Sequence, residues 1–183
     1  MGEQFVTFIK LRSMKQLKFV FAVPLLFFLA TNSCSQTNTP GGSSVVGTFV
    51  ASTPCSNGTR PLPDIPVNAD CELIKWNLTL YHDELKKTPT TYKLYCFYGL
   101  PEQGTTGLIG GGKKIEMEGQ WAIIKGTRSN PNAIVYRLIA NNTTKTISFL
   151  SLSPDLLHLL DSDERLMIGS AAWSYTLNRI SIK

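Results

Sequence analysis

The sequence has few of the residues from which most enzyme sites are built. It holds only two histidines, His82 and His158, and they lie in different segments. No Ser-His-Asp constellation stands out around either one. The glycine run 110–112 has no following pattern of a phosphate-binding helix, so we interpret it as a hairpin turn. We therefore expect a protein that is not an enzyme.

Long apolar runs are also missing. The run at 19–30 is shorter than the roughly 20 residues of a membrane-spanning helix. The run follows Lys15 and Lys18 and precedes Thr31-Asn32-Ser33-Cys34. A charged start, an apolar core and small residues, in that order, are typical of a secretory signal peptide. With a cysteine after the small residues, this segment resembles a bacterial lipoprotein signal, although Thr31 stands where an aliphatic residue is commoner. The alternatives are an ordinary signal peptide and a retained anchor helix.

This reading divides the chain into three parts. Residues 1–33 are the expected signal peptide, with Met14 as the true start, and they are excluded from the fold. Cys34 is the expected site of lipidation. Residues 35–44 are small and polar, which is typical of a flexible tether. Residues 45–183 then form one domain, and Leu-, Ile- and Trp-containing segments supply its core.

A strong positive charge is missing once the signal is set aside. Four of the 18 basic and one of the 13 acidic residues precede Cys34, so the remainder carries a formal charge of +2. No basic stripe remains, and we expect no nucleic-acid partner.

Cysteines are few, and an export signal places them where disulfides persist. Besides Cys34, the chain has Cys55, Cys71 and Cys96, which allow one disulfide and leave one thiol. Our preferred pair is Cys55–Cys71, which would close the proline-rich loop 60–66 and contribute about 3 kcal/mol. Cys96 could instead pair with either one. Thiolates and thioethers also bind copper(I), so the three cysteines and Met117 are soft-metal candidates.

Alternating apolar and polar residues predict strands and no long helix. Ile74, Trp76, Leu78 and Leu80 alternate with polar residues, and similar segments follow up to 180. We place the last strand at 173–180 and allow one helical turn at 155–160. About eight short strands separated by turns predict an all-β fold, an up-and-down barrel. The interior of such a barrel is either packed or holds one small ligand.

Several side chains are candidates for the core or for a ligand pocket. Trp76, Trp121 and Trp173 are expected to point inward, as core or as the lining of an apolar site. Met117 is expected to fill the core.

His82 is expected in a loop, and His158 on one side of a short element. The turn Asp161-Ser162-Asp163-Glu164 lacks EF-hand spacing and is expected to be solvated.

A set of short motifs resembles the NlpE-like lipoproteins, a family linked to copper resistance and envelope stress. In order, the motifs are Val46-Gly47-Thr48-Phe49, Thr53-Pro54-Cys55, Cys71, the strand 74–80, Tyr92-Lys93-Leu94, Gly119-Gln120-Trp121 and Leu157-His158-Leu159-Leu160-Asp161. The resemblance spans about 46–180 and implies a small lipocalin-like barrel.

The chain departs from the family at its cysteines. The family has Cys-x-x-Cys, whereas fifteen residues separate Cys55 from Cys71. This spacing favours a structural disulfide over a copper site. The resemblance implies a role in copper homeostasis or envelope-stress sensing, with copper and an envelope protein as partners. The alternatives are a carrier of a small apolar ligand and a structural lipoprotein without a ligand. Ser35 after Cys34 favours the outer membrane of a bacterial envelope, with a lipid anchor.

Overall fold

The computed structural model describes residues 42–55, 60–141 and 144–181, which form one closed antiparallel barrel. Each strand pairs with the next in sequence, and β1 pairs with β8. The predicted all-β, eight-stranded barrel is confirmed. Met14, Cys34 and residues 35–41 of the expected tether lie outside the described residues. The strands are Ser43–Pro54 (β1), Leu73–Asp83 (β2), Pro89–Gly99 (β3), Lys113–Lys125 (β4), Ile134–Ala140 (β5), Thr146–Ser153 (β6), Leu156–Leu159 (β7) and Thr176–Ile180 (β8).

The strands form because one face of each is apolar. In β3, Tyr92, Leu94 and Cys96 are buried, while the residues between them are exposed. Successive side chains of a strand point to opposite faces, so this alternation places one set inside the barrel. Every strand contributes to one interior, although β1 and β6 each bury three consecutive residues, at 47–49 and 147–149. The largest fully buried side chains are Tyr92, Tyr175, Phe49, Phe149, Leu62, Ile74, Leu78, Leu80, Leu94, Leu138, Leu157 and Leu159.

The two ends of the barrel differ. The chain enters at Gly42, and the turns 84–88, 126–133 and 154–155 lie at the same end, which we call the entry end. The connections 55–72, 100–112, 141–145 and 160–175 lie at the opposite end, the plug end. The turns after β2, β4 and β6 thus lie at the end where the chain enters, and the connections after β1, β3, β5 and β7 lie at the other end.

The connection between β1 and β2 closes the plug end. Leu62 is 1% exposed and Ile65 is 6% exposed, and both belong to the core. The Arg60 guanidinium donates hydrogen bonds to the carbonyl oxygens of Pro66 and Ala69. Lys145 donates to the carbonyl of Pro63, at 3.2 Å, from the β5–β6 connection. This segment therefore packs as part of the interior.

Gly119 marks a close approach between β4 and β5. A Cβ atom at this position would lie 2.1 Å from the Ile139 carbonyl oxygen and 2.9 Å from the Ala140 Cα atom. Only a residue without a side chain fits this spacing. The Gly119-Gln120-Trp121 motif therefore has a packing reason in this barrel.

Several local predictions are wrong. Residues 156–159 form strand β7, not a helical turn, and they pair with both β6 and β8. The last strand begins at Thr176, three residues after Trp173. His82 lies within β2, paired with Ser44, and not in a loop. β1 begins at Ser43, inside the segment expected to be tether.

The described core extends from Phe49 to Leu177. Every described member of it follows Gly42, and the barrel closes through β1 and β8. A protein that begins at Ser35 is therefore expected to fold independently. Within the described ranges, no helix has the length and hydropathy needed to cross a bilayer.

Candidate functional site

The preferred cysteine pair is bonded. Cys55 follows β1 and Cys71 precedes β2, and a disulfide joins them with 5.3 Å between their Cα atoms. Cys55 is 0% exposed and Cys71 is 8% exposed. The bond joins the two ends of the β1–β2 connection, which we call the plug segment, as the sequence predicts. Their sulfurs are consequently not thiolates and offer no anionic ligand to a metal ion.

Cys96 is the remaining thiol of the described residues. It lies on the inner face of β3, paired with Trp76 and Ile115, and is 0% exposed. Burial in apolar surroundings raises the pKa of its thiol well above the usual range. The thiol is therefore neutral and shielded at pH 7. These properties are typical of a structural cysteine.

The donor set does not fit a copper(I) site while the disulfide is intact. Met117 lies on β4, opposite Leu94, as a member of the core. Its thioether and the neutral Cys96 thiol are weak donors compared with a thiolate pair. Across residues 42–55, 60–141 and 144–181, no group of three His, Cys, Asp or Glu side chains is placed to hold a metal ion.

Two of the three tryptophans point inward, as predicted. The Trp76 Nε1 donates to the Thr53 hydroxyl at 2.8 Å, and the Trp76 ring meets Phe149 edge-on with 6.3 Å between centroids. The Trp121 Nε1 donates to the Tyr81 carbonyl at 2.6 Å, towards the entry end. Both indoles are buried with their N–H groups paired. The two indoles fill the interior, and their hydrogen bonds tie them to β1 and β2.

The prediction for Trp173 is wrong. Its side chain is 44% exposed, and it lies in the β7–β8 connection, outside any strand. It therefore lines neither the core nor an interior pocket. It joins Leu166 and Ile168 as exposed apolar residues of the plug end.

Two buried hydroxyls lack a hydrogen-bond partner among the described residues. The Tyr92 hydroxyl is buried and takes part in no hydrogen bond there, and the hydroxyl of Thr90, two residues earlier, shares this property. Burial raises the pKa of Tyr92 to about 12. Both residues lie on β3 near the entry end. The sequence did not predict these unpaired hydroxyls, because Tyr92 lies in an alternating strand pattern like any aromatic residue of a core.

The two histidines serve separate structural contacts. The His82 Nδ1 lies 3.0 Å from the Ser44 hydroxyl at the entry end. The His158 Nδ1 lies 2.9 Å from the Thr176 hydroxyl, and its Nε2 lies 2.9 Å from the Met167 carbonyl. Strands β2 and β7 are not neighbours in the barrel. The structure therefore brings the histidines into no common site.

The acidic turn after β7 is largely used by the protein itself. The Asp161 carboxylate accepts 2.8 Å hydrogen bonds from the backbone N–H groups of Asp163 and Arg165. Glu164 forms an ion pair with Arg137 of β5. The carboxylates thus shape the turn and attach it to the barrel wall.

Two surface concavities lie at the β1–β8 seam and at the plug end. One of about 710 Å³ lies at the β1–β8 seam, where the Arg179 guanidinium donates to the Val46 carbonyl at 2.7 Å. Another of about 640 Å³ lies between the plug segment and the β7–β8 connection. Neither position was predicted, because both arise from connections without a periodic pattern.

Comparisons of the chain with models of protein families, with curated proteins and with solved structures found no match.

Proposed function

We propose that this protein is a non-enzymatic lipoprotein of a bacterial cell envelope, with an NlpE-like role in envelope-stress sensing or copper homeostasis. Cys34 carries the acyl chains, and the lipid anchors the protein to the outer membrane. The observation that carries the proposal is a filled, closed barrel behind a lipoprotein-like signal. Two or three acyl chains anchor a protein stably, whereas one chain does not.

The filled interior supports action through surface contact. An eight-stranded barrel has room for its own side chains or for one small ligand. Here Phe49, Phe149 and Tyr175 lie within it, each at most 1% exposed, together with the indole of Trp76. A carrier of an apolar ligand would have to displace such side chains. A partner protein that touches the outside of the barrel needs no displacement.

The cysteine arrangement favours stress sensing over copper binding. The bonded Cys55–Cys71 pair and the buried Cys96 thiol leave no free thiolate in the described residues under oxidising conditions. Copper handling through these cysteines would require reduction of the bond. The contact-based role requires no change in it.

Lipidation is tested with labelled palmitate in cells that express the full chain. We expect label in the wild type and none in Cys34→Ser, and we expect the labelled protein in the outer-membrane fraction. The matched control is Cys96→Ala, which leaves the signal unchanged and is expected to keep the label. Wild-type protein without label would contradict the lipid anchor.

The proposed role in copper homeostasis is tested by titrating copper(I) into a protein that begins at Ser35. The titration is done on oxidised and reduced protein, against a competing chelator. We expect no tight binding in the oxidised state. Tight binding in the reduced state that is lost in Cys55→Ser would favour copper homeostasis. Absence of binding in both states would leave envelope-stress sensing by contact as the proposed role.

A further inference from the structure

We propose that the entry end of the barrel docks on an anionic phospholipid surface, with Leu85 as the residue that inserts. This inference rests on the proposed lipid anchor for the position of the membrane. The features that carry it lie on the barrel itself. They are an apolar tip, a rim of exposed aliphatic residues, and a basic charge at this end alone.

The apolar tip is the turn between β2 and β3. The Leu85 side chain is 84% exposed, and the next two residues are Lys86 and Lys87. The Asp83 carboxylate accepts hydrogen bonds from the N–H groups of Leu85 at 3.0 Å and Lys86 at 2.7 Å. These bonds hold the turn while the leucine projects into solvent. Glu84 precedes the leucine, and the two lysines follow it. A large aliphatic side chain held out beside two cationic ones suits the boundary between headgroups and acyl chains.

Further aliphatic side chains surround this end. They belong to five different strands, and each is between 41% and 53% exposed. Soluble proteins expose single apolar residues routinely, but a group at one end of a barrel indicates a contact surface. With Leu85, the rim consists of Val45, Ile123, Ile134, Leu152 and Ile180.

Charge distinguishes the entry end from the plug end, which also exposes apolar residues. The entry-end turns carry three basic residues against two acidic ones, whereas the plug-end connections carry three against seven. Within the described residues, Lys86, Lys87, Lys125 and Arg128 take part in no ion pair. Basic residues near an anionic bilayer are attracted to it, and acidic ones are repelled. An anionic surface therefore fits the entry end and not the plug end.

The entering chain places this end near the membrane. The Glu84 N–H donates to the Gly42 carbonyl at 2.8 Å, so the chain enters beside the Leu85 tip. Seven residues lie between Cys34 and Gly42. Even a fully extended chain of that length spans no more than about 30 Å. A lipid on Cys34 would thus keep the rim within reach of the headgroups.

The test uses a protein beginning at Ser35, which has no lipid, so that its result is independent of Cys34 acylation. Binding to vesicles of phosphatidylglycerol and phosphatidylethanolamine in equal parts is measured by co-sedimentation at low and high salt, with phosphatidylcholine vesicles alongside. The variants are Leu85→Ser and the charge reversal Lys86→Glu/Lys87→Glu. The matched control is Ile168→Ser at the plug end, because Ile168 is 88% exposed. Circular dichroism checks that each variant is folded.

We expect binding to the anionic vesicles that weakens with salt, and a loss of about tenfold in Leu85→Ser. The charge reversal should reduce binding further, and Ile168→Ser should bind as the wild type does. Three outcomes overturn the proposal: no binding of the wild type at low salt, unchanged binding of Leu85→Ser, or an equal loss in Ile168→Ser. The last would indicate a different docking face. Failed palmitate labelling of the full chain would instead refute the anchor, and it leaves this measurement unaffected.

Discussion

Replacing Tyr92 with phenylalanine is expected to stabilise the barrel. The side chain is 1% exposed, and its hydroxyl has no hydrogen-bond partner among the described residues. Burying a hydroxyl without a partner costs about 1–3 kcal/mol in protein mutational data. Phenylalanine keeps the ring against Leu80 and Gly119 across the sheet and removes only the hydroxyl. We expect the free energy of unfolding to rise by about 1–2 kcal/mol.

Thr53→Val provides a control of opposite sign. It also replaces a buried hydroxyl with an apolar group of similar shape. The Thr53 hydroxyl, however, accepts the Trp76 Nε1–H at 2.8 Å, and the indole is 3% exposed. Its loss leaves a buried donor unpaired, which costs about 1–3 kcal/mol. Urea unfolding at pH 7, followed by tryptophan fluorescence, measures both changes, with the slope against urea expected to stay constant.

High pH gives a second readout for Tyr92. Its folded pKa of about 12 lies above the ordinary value near 10. The unfolded state ionises first as the pH rises. The wild type therefore keeps its full free energy of unfolding below pH 10 and loses part of it as the pH rises through 12. The advantage of Tyr92→Phe over the wild type should grow across that interval. A lower stability of Tyr92→Phe at pH 7 would refute the reasoning, because it would mean that the hydroxyl has a stabilising partner.

Three further predictions concern the cysteines and a glycine. The double change Cys55→Ala/Cys71→Ala frees a 16-residue loop and should lower the free energy of unfolding by about 3 kcal/mol. Urea unfolding measures this change, and an unchanged midpoint would contradict a stabilising role of the disulfide. Cys96 should resist alkylation in the native protein and react in denaturant, as mass spectrometry can show; rapid native labelling would contradict its burial. Gly119→Ala should destabilise the protein by about 1–3 kcal/mol, because its methyl group would overlap the Ile139 carbonyl oxygen. Thermal unfolding measures this as a lower midpoint, and an unchanged midpoint would refute the close approach.

Period-two alternation predicted the barrel because most strands bury one face only. In β2 the buried residues 74, 76, 78 and 80 alternate regularly, and this signal needs no knowledge of the partners. Strand β7 lacked it, since its four residues are too few to separate a strand from a helical turn. Its conformation depends on pairing with β6 and β8, which is non-local. For the same reason, the start of β8 was placed too early and Trp173 was expected inside.

The candidate site was harder to predict than the fold. Counting cysteines allowed several pairings, and only the closeness of the β1 and β2 ends selects Cys55–Cys71. Leu62 and Ile65 entered the core from a proline-rich segment with no periodic pattern. The unpartnered hydroxyl of Tyr92 depends on its surroundings across three strands. Such features arise from packing between distant segments, which residue order does not encode locally.

The seam between β1 and β8 has a consequence for the synthesis of the chain. Arg179 reaches the Val46 carbonyl across 133 residues of sequence, and the seam itself pairs three residues of each strand. Until the final strand has been synthesised, β1 has no partner on that side and the barrel stays open. Contacts between residues so far apart in sequence form slowly, because a long chain must be ordered first. The nascent chain therefore keeps an unclosed sheet until β8 has been synthesised, a state that would suit the export proposed above.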